Sequence, residues 1–260
     1  MIAEAADRLS AAGCESPRLD AEILLAHVLG IDRATLITRG DQPLDDDQRA
    51  AFSALVDRRA AREPVAYLVG TKGFRHLDLR VDRRVLIPRP DTETLVEVAI
   101  DAAPEGARVH DVGTGSGAVA LALAQERPDL RVTASDASPE AVEAARANAE
   151  RLGLDVALDI ADGLPPGEYD LVVANLPYVR EDEWVGLQPE IREYEPRAAL
   201  VGGRDGLDAI RSLVGRAGGT LLALEHAPDQ AGAVRALLGD DARTVQDLAG
   251  RDRVTIGTAP

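Results

Sequence analysis

The sequence predicts an α/β fold, with a largely parallel sheet covered by helices on both faces and a small helical domain in front of it. Residues 1–70 carry a helical apolar pattern interrupted by turn residues. Residues 71–84 alternate apolar and polar side chains, which is typical of a β-hairpin. After Gly106, apolar segments of strand length alternate with amphipathic segments, and this βαβ rhythm implies parallel strands. The domain boundary is therefore expected within residues 71–84.

Three or four short helices fit the first 70 residues. One begins at Ser16 and Pro17, an N-cap followed by proline at the first helical position, and it ends at Gly30. Another spans Asp45 to Arg62, because acids open it and arginines close it, so that each charge lies at the favourable end of the helix dipole.

The second part of the chain begins with a proline-containing connector and continues into the sheet. The connector Ile87–Asp91 is predicted to be non-helical at both of its prolines, ahead of a helix from Thr92 to Ala103. The predicted strands are Arg108–Val112, Arg131–Ser135, Val156–Ile160, Tyr169–Ala174, Gly219–Leu224, Thr244–Asp247 and Arg253–Gly257. In such folds ligands bind at the carboxyl ends of the strands.

The composition excludes several classes of protein. The 260 residues include 29 Lys+Arg and 45 Asp+Glu, a formal net charge of −16, so direct nucleic-acid binding is not expected. No apolar run reaches the roughly 18–20 residues of a membrane span, and acids interrupt the N-terminus, so a cytoplasmic location is expected. Cys14 is the only cysteine and the four histidines lack metal-ligand spacing, so neither a disulfide nor a metal site is expected.

A glycine-rich loop between the first predicted strand and the next helix is the first candidate site. Its candidate cofactor-binding residues are Asp111, Gly113, Thr114, Gly115, Ser116 and Gly117. Such a loop presents bare backbone and the free N–H groups of a helix N-terminus to a ligand. The acid Asp136, at the end of the next strand, can accept hydrogen bonds from a ribose, or it can simply cap the helix that begins at Ser138. The G-x-G-x-G spacing after an acid suits the cationic S-adenosylmethionine better than the pyrophosphate of a dinucleotide.

The second candidate site is the segment Asn175-Leu176-Pro177-Tyr178, which follows the fourth predicted strand. The Asn175 side-chain oxygen and the Leu176 carbonyl can accept two hydrogens from a planar –NH₂ group, while Pro177 stiffens the turn and Tyr178 offers a stacking face. Gripping both N–H bonds orients a poorly nucleophilic nitrogen without an ionised base. The alternative is a plain turn. Glu225, at the end of the fifth strand, either faces this cleft or caps a helix.

Two longer segments are more specific than these motifs. They are Val85-Leu-Ile-Pro-Arg-Pro-Asp-Thr-Glu93 and Glu195-Pro-Arg-Ala-Ala-Leu200. Together with the glycine loop, Asp136 and Asn175-Leu-Pro-Tyr178, they make the chain resemble the peptide chain release factor glutamine methyltransferases over nearly its whole length. That family methylates N5 of the glutamine in the Gly-Gly-Gln motif of bacterial release factors.

The resemblance implies a domain organisation and partners. A helical domain over residues 1–70 would bind the release factor, a β-hairpin over residues 71–84 would link it, and residues 85–260 would form a Rossmann-like, seven-stranded methyltransferase domain. The implied methyl donor is S-adenosyl-L-methionine, and the implied protein substrate is the Gly-Gly-Gln loop of peptide chain release factors. A monomer with no membrane and no direct nucleic-acid contact is expected.

The resemblance also implies roles for the candidate residues. Gly113 to Gly117 would hold the methionine part of the donor and Asp136 its ribose. Asp162 and Gly163 would lie beside the adenine. Asn175 and the Leu176 carbonyl would hold the glutamine amide, and Pro177 and Tyr178 would complete this catalytic segment. Asn175 is also a candidate cofactor-binding residue.

Two residues depart from the family pattern. The family usually has proline where this chain has Leu176, although the carbonyl remains available. Asn-Leu-Pro-Tyr is also typical of ribosomal RNA adenine dimethyltransferases, so an N6-adenine methyltransferase acting on rRNA or DNA remains an alternative, as does a cofactor-binding module without catalysis. Gly163 replaces an aromatic residue that is common near the adenine, and weaker cofactor binding is the expected consequence.

Overall fold

The computed structural model describes residues 1–39 and 43–260. Its helices are α1 Ile2–Ala11, α2 Pro17–Leu29, α3 Arg33–Arg39, α4 Asp46–Ala60, α5 Val65–Val69, α6 Glu93–Ala102, α7 Ala118–Glu126, α8 Pro139–Leu152, α9 Pro189–Tyr194, α10 Asp208–Arg216 and α11 Ala231–Leu238. Its strands are β1 Thr71–Phe74, β2 Leu77–Arg80, β3 Arg108–Val112, β4 Arg131–Asp136, β5 Ala157–Ile160, β6 Leu171–Ala174, β7 Leu221–Glu225, β8 Arg243–Gln246 and β9 Asp252–Thr258.

The chain divides into two units, which are described separately. Unit 1 consists of Met1–Thr71 and Gln188–Tyr194, and unit 2 consists of Lys72–Leu187 and Glu195–Pro260. Residues 40–42 belong to the region predicted to be a helical domain, and they lie outside the described residues.

Unit 1 is helical, and its first 71 residues hold five helices within the described ranges, where the sequence predicted three or four. The prediction was wrong because α3 and α5 have only 7 and 5 residues, too few to show an apolar period. Gly30 ends α2, as predicted, and the structure shows it in the left-handed conformation. Asp45 caps α4 through a reciprocal capping box with Gln48.

A buried ion network ties α9 into unit 1. The Arg59 side chain is 7% exposed and contacts Asp20 at 2.8 Å and Glu190 at 2.9 Å. Arg62 pairs with the same Glu190 carboxylate, and the Tyr194 hydroxyl donates to the Ala61 carbonyl at 2.8 Å. The helix α9 therefore belongs to unit 1, although its neighbours in sequence belong to unit 2. No periodic pattern in the sequence indicated this.

Unit 2 contains a seven-stranded sheet within the described ranges, in the order β5-β4-β3-β6-β7-β9-β8. The pairs from β5 to β7 are parallel, while β9 runs antiparallel to both of its neighbours. The predicted Rossmann-like, seven-stranded α/β fold is confirmed. Strand ends differ from the prediction by at most two residues, which is the usual uncertainty of element boundaries, and β3 matches its predicted bounds.

The connector before α6 contains a short helical turn. Pro90–Thr92 forms a 3-10 helix, so the prediction that neither proline of Ile87–Asp91 is helical was wrong at Pro90. Proline is tolerated there because the first residue of a helix has no hydrogen-bond partner for its N–H. The predicted helix start at Thr92 accordingly shifts to Glu93.

The two specific sequence segments contact each other in unit 2. The side chain of Glu195 is 1% exposed and pairs with Arg89. Its second oxygen, Oε2, accepts a hydrogen bond from the Ile87 backbone N–H at 3.1 Å. One buried carboxylate thus holds the proline connector that leads to Thr92.

Two glycines let the segment after Glu195 approach the end of β6. A Cβ on Gly202 would lie 2.2 Å from the Pro177 carbonyl oxygen, and a Cβ on Gly206 would lie 2.1 Å from the Tyr178 carbonyl oxygen. Real Cβ atoms do not come this close to backbone. These two positions therefore require glycine, and they fix the backbone of Pro177 and Tyr178.

Within the described ranges, none of the helices is both long and apolar enough to cross a membrane.

Substituting Gly202 by alanine tests this backbone contact. We expect Gly202→Ala to lower the free energy of unfolding by about 1–3 kcal/mol, because backbone must move to admit the Cβ. Gly215→Ala is the matched control, since Gly215 lies in α10 with nothing within 4 Å of its Cβ position. The control should change stability by no more than about 1 kcal/mol, in the stabilising direction. The free energies of unfolding are measured by urea denaturation. An equal change in Gly202→Ala and Gly215→Ala would contradict the packing argument.

Candidate active site

Backbone hydrogen bonds, within the loop and to β4, hold the glycine loop between β3 and α7 in place. The N–H groups of Gly113 and Thr114 donate to the Ser135 carbonyl at 2.8 and 3.0 Å, and the Gly117 N–H donates to the Thr114 carbonyl at 2.8 Å. Gly117 caps α7 with φ at 85°, and a Cβ there would lie 2.9 Å from Leu121 Cδ1. The loop thereby exposes backbone rather than side chains at the carboxyl end of β3.

Asp111 lies beneath this loop. Its side chain is buried and accepts hydrogen bonds from Thr114 Oγ1 at 2.7 Å and from the Ala120 N–H at 3.3 Å. Burial raises the pKa of Asp111 to about 7, against the lowering effect of these two donors. The buried Asp111 carboxyl therefore links the glycine loop to the first turn of α7 and stabilises both.

Asp136 joins the loop to the next strand. Its Oδ2 accepts a hydrogen bond from the Gly115 N–H at 2.9 Å, and its Oδ1 accepts one from the Ser138 N–H at 2.9 Å. The cap of α8 is Ser138, whose hydroxyl accepts from the Ala141 N–H at 3.2 Å. Asp136 is partly exposed, and the remaining lone pairs of its carboxylate are available to hydroxyl donors.

Asp162 and Gly163 follow β5 beside Asp136. The Ala161 N–H donates to the Asp136 carbonyl at 3.0 Å, which brings the two segments together. Arg216 Nη1 donates to the Asp162 carbonyl at 2.6 Å and lies 2.9 Å from the position of a Cβ on Gly163. The guanidinium therefore occupies the space next to Gly163.

Asn175 lies at the end of β6, next to the glycine loop. Its Nδ2 donates to Thr92 Oγ1 at 3.0 Å. The Cβ position of Gly113 is 3.2 Å from Leu176 Cδ2 and 4.0 Å from the Asn175 carbonyl oxygen. The structure thus brings the two sequence motifs into direct contact, and Leu176 packs against the loop.

Tyr178, three residues after Asn175, makes hydrogen bonds to Glu225 and Gln230 of unit 2. Its hydroxyl donates to Glu225 Oε1 at 3.4 Å, and its carbonyl accepts from Gln230 Nε2 at 2.9 Å. Burial is the main reason that the pKa of Tyr178 is raised, and the nearby Glu225 carboxyl raises it further. The phenol therefore remains protonated and acts as a hydrogen-bond donor.

Sequence reasoning missed Thr92 and the ion pairs beside it. Arg253 is buried and contacts Asp91 at 2.9 Å and Asp247 at 3.2 Å. Although burial raises it, the pKa of Asp247 is held at about 2 by hydrogen bonds from the Arg251 backbone and side chain and from Arg253. Thr92 lies inside the specific sequence segment that ends at Glu93, so the segment itself could have singled it out. No pattern in the sequence, however, indicates that Thr92 contacts Asn175.

Two histidines near the sheet are satisfied in the core. His110 contacts Thr133 Oγ1 at 2.7 Å and Ser135 Oγ at 2.9 Å, and burial lowers its pKa to about 4. His226 is fully buried and contacts Thr255 Oγ1 at 2.8 Å. Both histidines therefore have hydrogen-bond partners inside the core of unit 2.

Solved structures similar to this chain share its fold. A methyltransferase from Pyrococcus furiosus is 19% identical, with a TM-score of 0.52, and the alignment covers 78% of this chain and 95% of that one. The 16S rRNA N2 G1207 methyltransferase of Thermus thermophilus, solved with AdoMet and guanosine, is 16% identical, with a TM-score of 0.51 and coverage of 73% and 50%. At these identities the likeness concerns the methyltransferase fold alone.

Sequence comparisons reach the level of the family. Residues 1–70 match the PrmC N-terminal domain, and residues 90–188 match the methyltransferase small domain. The release factor glutamine methyltransferase of Xylella fastidiosa is 46% identical over 97% of both chains. Its counterpart in Geobacter sulfurreducens is 44% identical over 96% of this chain and 92% of the relative, and that of Vibrio cholerae is 43% identical over 97% and 93%. The chain therefore belongs to the release factor glutamine methyltransferase family.

Proposed function

We propose that this protein transfers a methyl group from S-adenosyl-L-methionine to N5 of the glutamine in the Gly-Gly-Gln motif of peptide chain release factors. The observation that carries the proposal is the contact between the glycine loop and the Asn175 segment. In this proposal the loop binds the methyl donor and the Asn175 segment binds the substrate amide, so the two sites are adjacent. Family membership supports the same reaction. The products are the N5-methylated glutamine, S-adenosylhomocysteine and one proton.

The loop residues fit the methyl donor. Gly115 has a positive φ of 56° and open space around its Cβ position, so backbone is available for close approach. We assign Gly113 to Gly117 to the methionine part of the donor, with Asp111 shaping the loop. We assign Asp136 to the ribose, and Asp162 and Gly163 to the adenine. When bound there, the donor supplies an electrophilic methyl group.

The amide grip is built from Asn175 and the backbone that follows it. Because Asn175 Nδ2 is bonded to Thr92, its Oδ1 is left to accept a hydrogen from the substrate amide, and the Leu176 carbonyl accepts the second. Pro177 and Tyr178 are held by the glycines that pack on their backbone. Orientation of the nitrogen lone pair towards the methyl group replaces an ionised base.

The helical unit supplies the docking surface in this proposal. We assign residues 1–70 to release factor binding, 71–84 to the linking hairpin and 85–260 to methyl transfer, and we propose a cytoplasmic monomer that makes no direct contact with nucleic acid. The formal charge of −16 supports the last point, because it repels phosphate backbones. Nothing in the comparisons favours the N6-adenine alternative that the Asn-Leu-Pro-Tyr sequence leaves open.

Mass spectrometry tests the reaction directly. A bacterial release factor is incubated with the purified protein and S-adenosylmethionine, and peptides across Gly-Gly-Gln are mapped. We expect one added methyl group on that glutamine. Label that enters ribosomal RNA or DNA offered in parallel, with an unmodified glutamine, would favour the adenine alternative instead.

Removal of the Asp136 carboxylate tests the donor site. We expect Asp136→Ala to weaken S-adenosylmethionine binding by about 10- to 100-fold, because charge-assisted hydrogen bonds to the ribose and to the Gly115 N–H are lost. Asp155→Ala is the matched control, since Asp155 is an exposed acid of the same unit. Isothermal titration calorimetry provides the measurement. Unchanged affinity in Asp136→Ala would remove this residue from the site.

Removal of the Asn175 amide tests the grip on the substrate. We expect Asn175→Ala to lower kcat for methyl transfer on the order of 100-fold or more, because the nitrogen is no longer oriented. Affinity for S-adenosylmethionine should stay within about 3-fold of the wild type, since these bonds are made to the substrate amide. Equal losses in kcat and in donor affinity would indicate that Asn175 mainly supports the fold.

A further inference from the structure

The Arg216 side chain reaches from α10 to the segment that follows β5. Arg216 is the last residue of α10, and its Nη1 donates to the Asp162 carbonyl at 2.6 Å, although 54 positions separate the two residues. An arginine in the last turn of a helix is favoured by the helix dipole, but the dipole does not hold its guanidinium on a carbonyl of another segment. The contact therefore calls for an explanation of its own.

The Arg216 guanidinium retains binding capacity after this contact. Arg216 is exposed, and within residues 1–39 and 43–260 it forms no ion pair with a carboxylate. A guanidinium carries five N–H donors in one plane, and its faces are weakly hydrated. Because the donors lie in the plane, the hydrogen bond to the Asp162 carbonyl fixes the group and leaves a face available for packing.

Gly163 makes room for the guanidinium. A Cβ at this position would lie 2.9 Å from Arg216 Nη1 and 3.4 Å from Arg216 Cζ. The backbone of Gly163 also has a φ of 83°, which residues with a side chain rarely adopt. A side chain at position 163 would displace the guanidinium, so the place of the Arg216 side chain depends on this glycine.

The guanidinium lies close to the proposed ribose site. In the register of β4 with β5, Asp136 is paired with Ile160, and the Ala161 N–H donates to the Asp136 carbonyl at 3.0 Å. Asp162 and Gly163 follow directly after that contact. The adenine of S-adenosylmethionine is bonded to its ribose, so a ribose held by Asp136 brings the base within reach of this segment.

A planar aromatic base suits the group found there. Guanidinium planes stack on aromatic rings and on nucleobases, because the cation is attracted to the π electrons and its faces lose little hydration. We propose that Arg216 is a donor-binding residue whose guanidinium packs against the adenine of S-adenosylmethionine in the space that Gly163 leaves. This inference rests on the proposed function and deepens it, because it names the side chain that recognises the base.

The alternative is that Arg216 only braces the segment of Asp162 and Gly163. A brace needs a hydrogen-bond donor on the Asp162 carbonyl, and the ammonium group of a lysine can supply one. Packing against adenine needs the plane of the guanidinium, which lysine lacks. The two roles therefore predict different results for Arg216→Lys.

Calorimetry of ligand binding provides the first test. The full-length protein is titrated with S-adenosylhomocysteine, the stable product that retains the adenine. We expect Arg216→Ala to weaken binding about 5- to 30-fold, because a cation–π contact with the base is lost. Arg216→Lys should bind within about 3-fold of Arg216→Ala. Wild-type affinity in either variant would overturn the proposal.

The matched control is Arg146→Ala. Arg146 is an exposed arginine of α8, and its Nη2 donates to the Leu158 carbonyl of β5 at 3.1 Å, so it makes the same kind of contact to the same stretch of backbone. Affinity for S-adenosylhomocysteine should stay within about 2-fold of the wild type in this variant. A loss as large as that in Arg216→Ala would overturn a contact specific to Arg216.

A ligand without the base tests whether Arg216 acts on the adenine. S-ribosylhomocysteine contains the ribose and the homocysteine but no adenine, and the wild type and Arg216→Ala should bind it with affinities within about 2-fold of each other. A loss equal to that measured with S-adenosylhomocysteine would show that Arg216 acts on the segment alone. That result would overturn the proposed contact with the base.

Steady-state kinetics separates donor binding from methyl transfer. In Arg216→Ala the KM for S-adenosylmethionine should rise, while kcat at saturating donor stays within about 3-fold of the wild type, because the proposed contact is to the base and not to the reacting amide. A fall in kcat with an unchanged KM would contradict the role of Arg216.

Failure of this inference can be told apart from failure of the proposed function. A wild type that binds no S-adenosylhomocysteine and methylates no release factor glutamine contradicts the proposed function itself. A wild type that binds this ligand and methylates the glutamine, with affinity unchanged in Arg216→Ala, contradicts only the role of Arg216.

Discussion

The parallel pairing of β3 with β6 is the constraint on which the candidate site depends. Val112 lies beside Ala174 in this register, so the glycine loop and Asn175 leave the sheet next to each other. The pairing of β3 with β4 sets Val112 beside Ser135 in the same way, and Asp136 follows. Three segments that are far apart in sequence thus meet at one edge, because parallel strands present their carboxyl ends together.

The segments that identify the family act mainly as supports for that edge. Glu195 holds the backbone of Ile87, and Gly202 packs on Pro177. Arg253 pairs with Asp91, directly before Thr92. These contacts fix the backbone on either side of the Asn175 amide. The residues of these family-specific segments therefore serve mainly to position the backbone around Asn175. Few of their groups contact the substrate in the proposed reaction.

The edge also contains two buried carboxyls, Asp111 and Glu225, and burial raises the pKa of each to about 7. A carboxyl whose pKa is raised by folding stabilises the protein below its unfolded pKa, and this contribution is lost as the pH rises through about 7. Both acids therefore cost folding free energy at neutral pH. Asp111 lies beneath the glycine loop, and Glu225 accepts a hydrogen bond from the Tyr178 hydroxyl, so both carboxyls lie at the proposed site.

The sequence by itself determined the fold class, most elements and the two motifs. Apolar periodicity reports local burial, and a glycine-rich turn after a strand is a local feature, so both can be read from neighbouring residues. It did not reveal that Thr92 bonds Asn175 across 83 positions, or that Glu225 is buried with an unpartnered oxygen. It also gave no sign that α9 belongs to unit 1 through Glu190 and Arg59. These features depend on side-chain contacts between segments that are distant in the sequence. Local sequence patterns do not specify such contacts, so only the tertiary structure decided them.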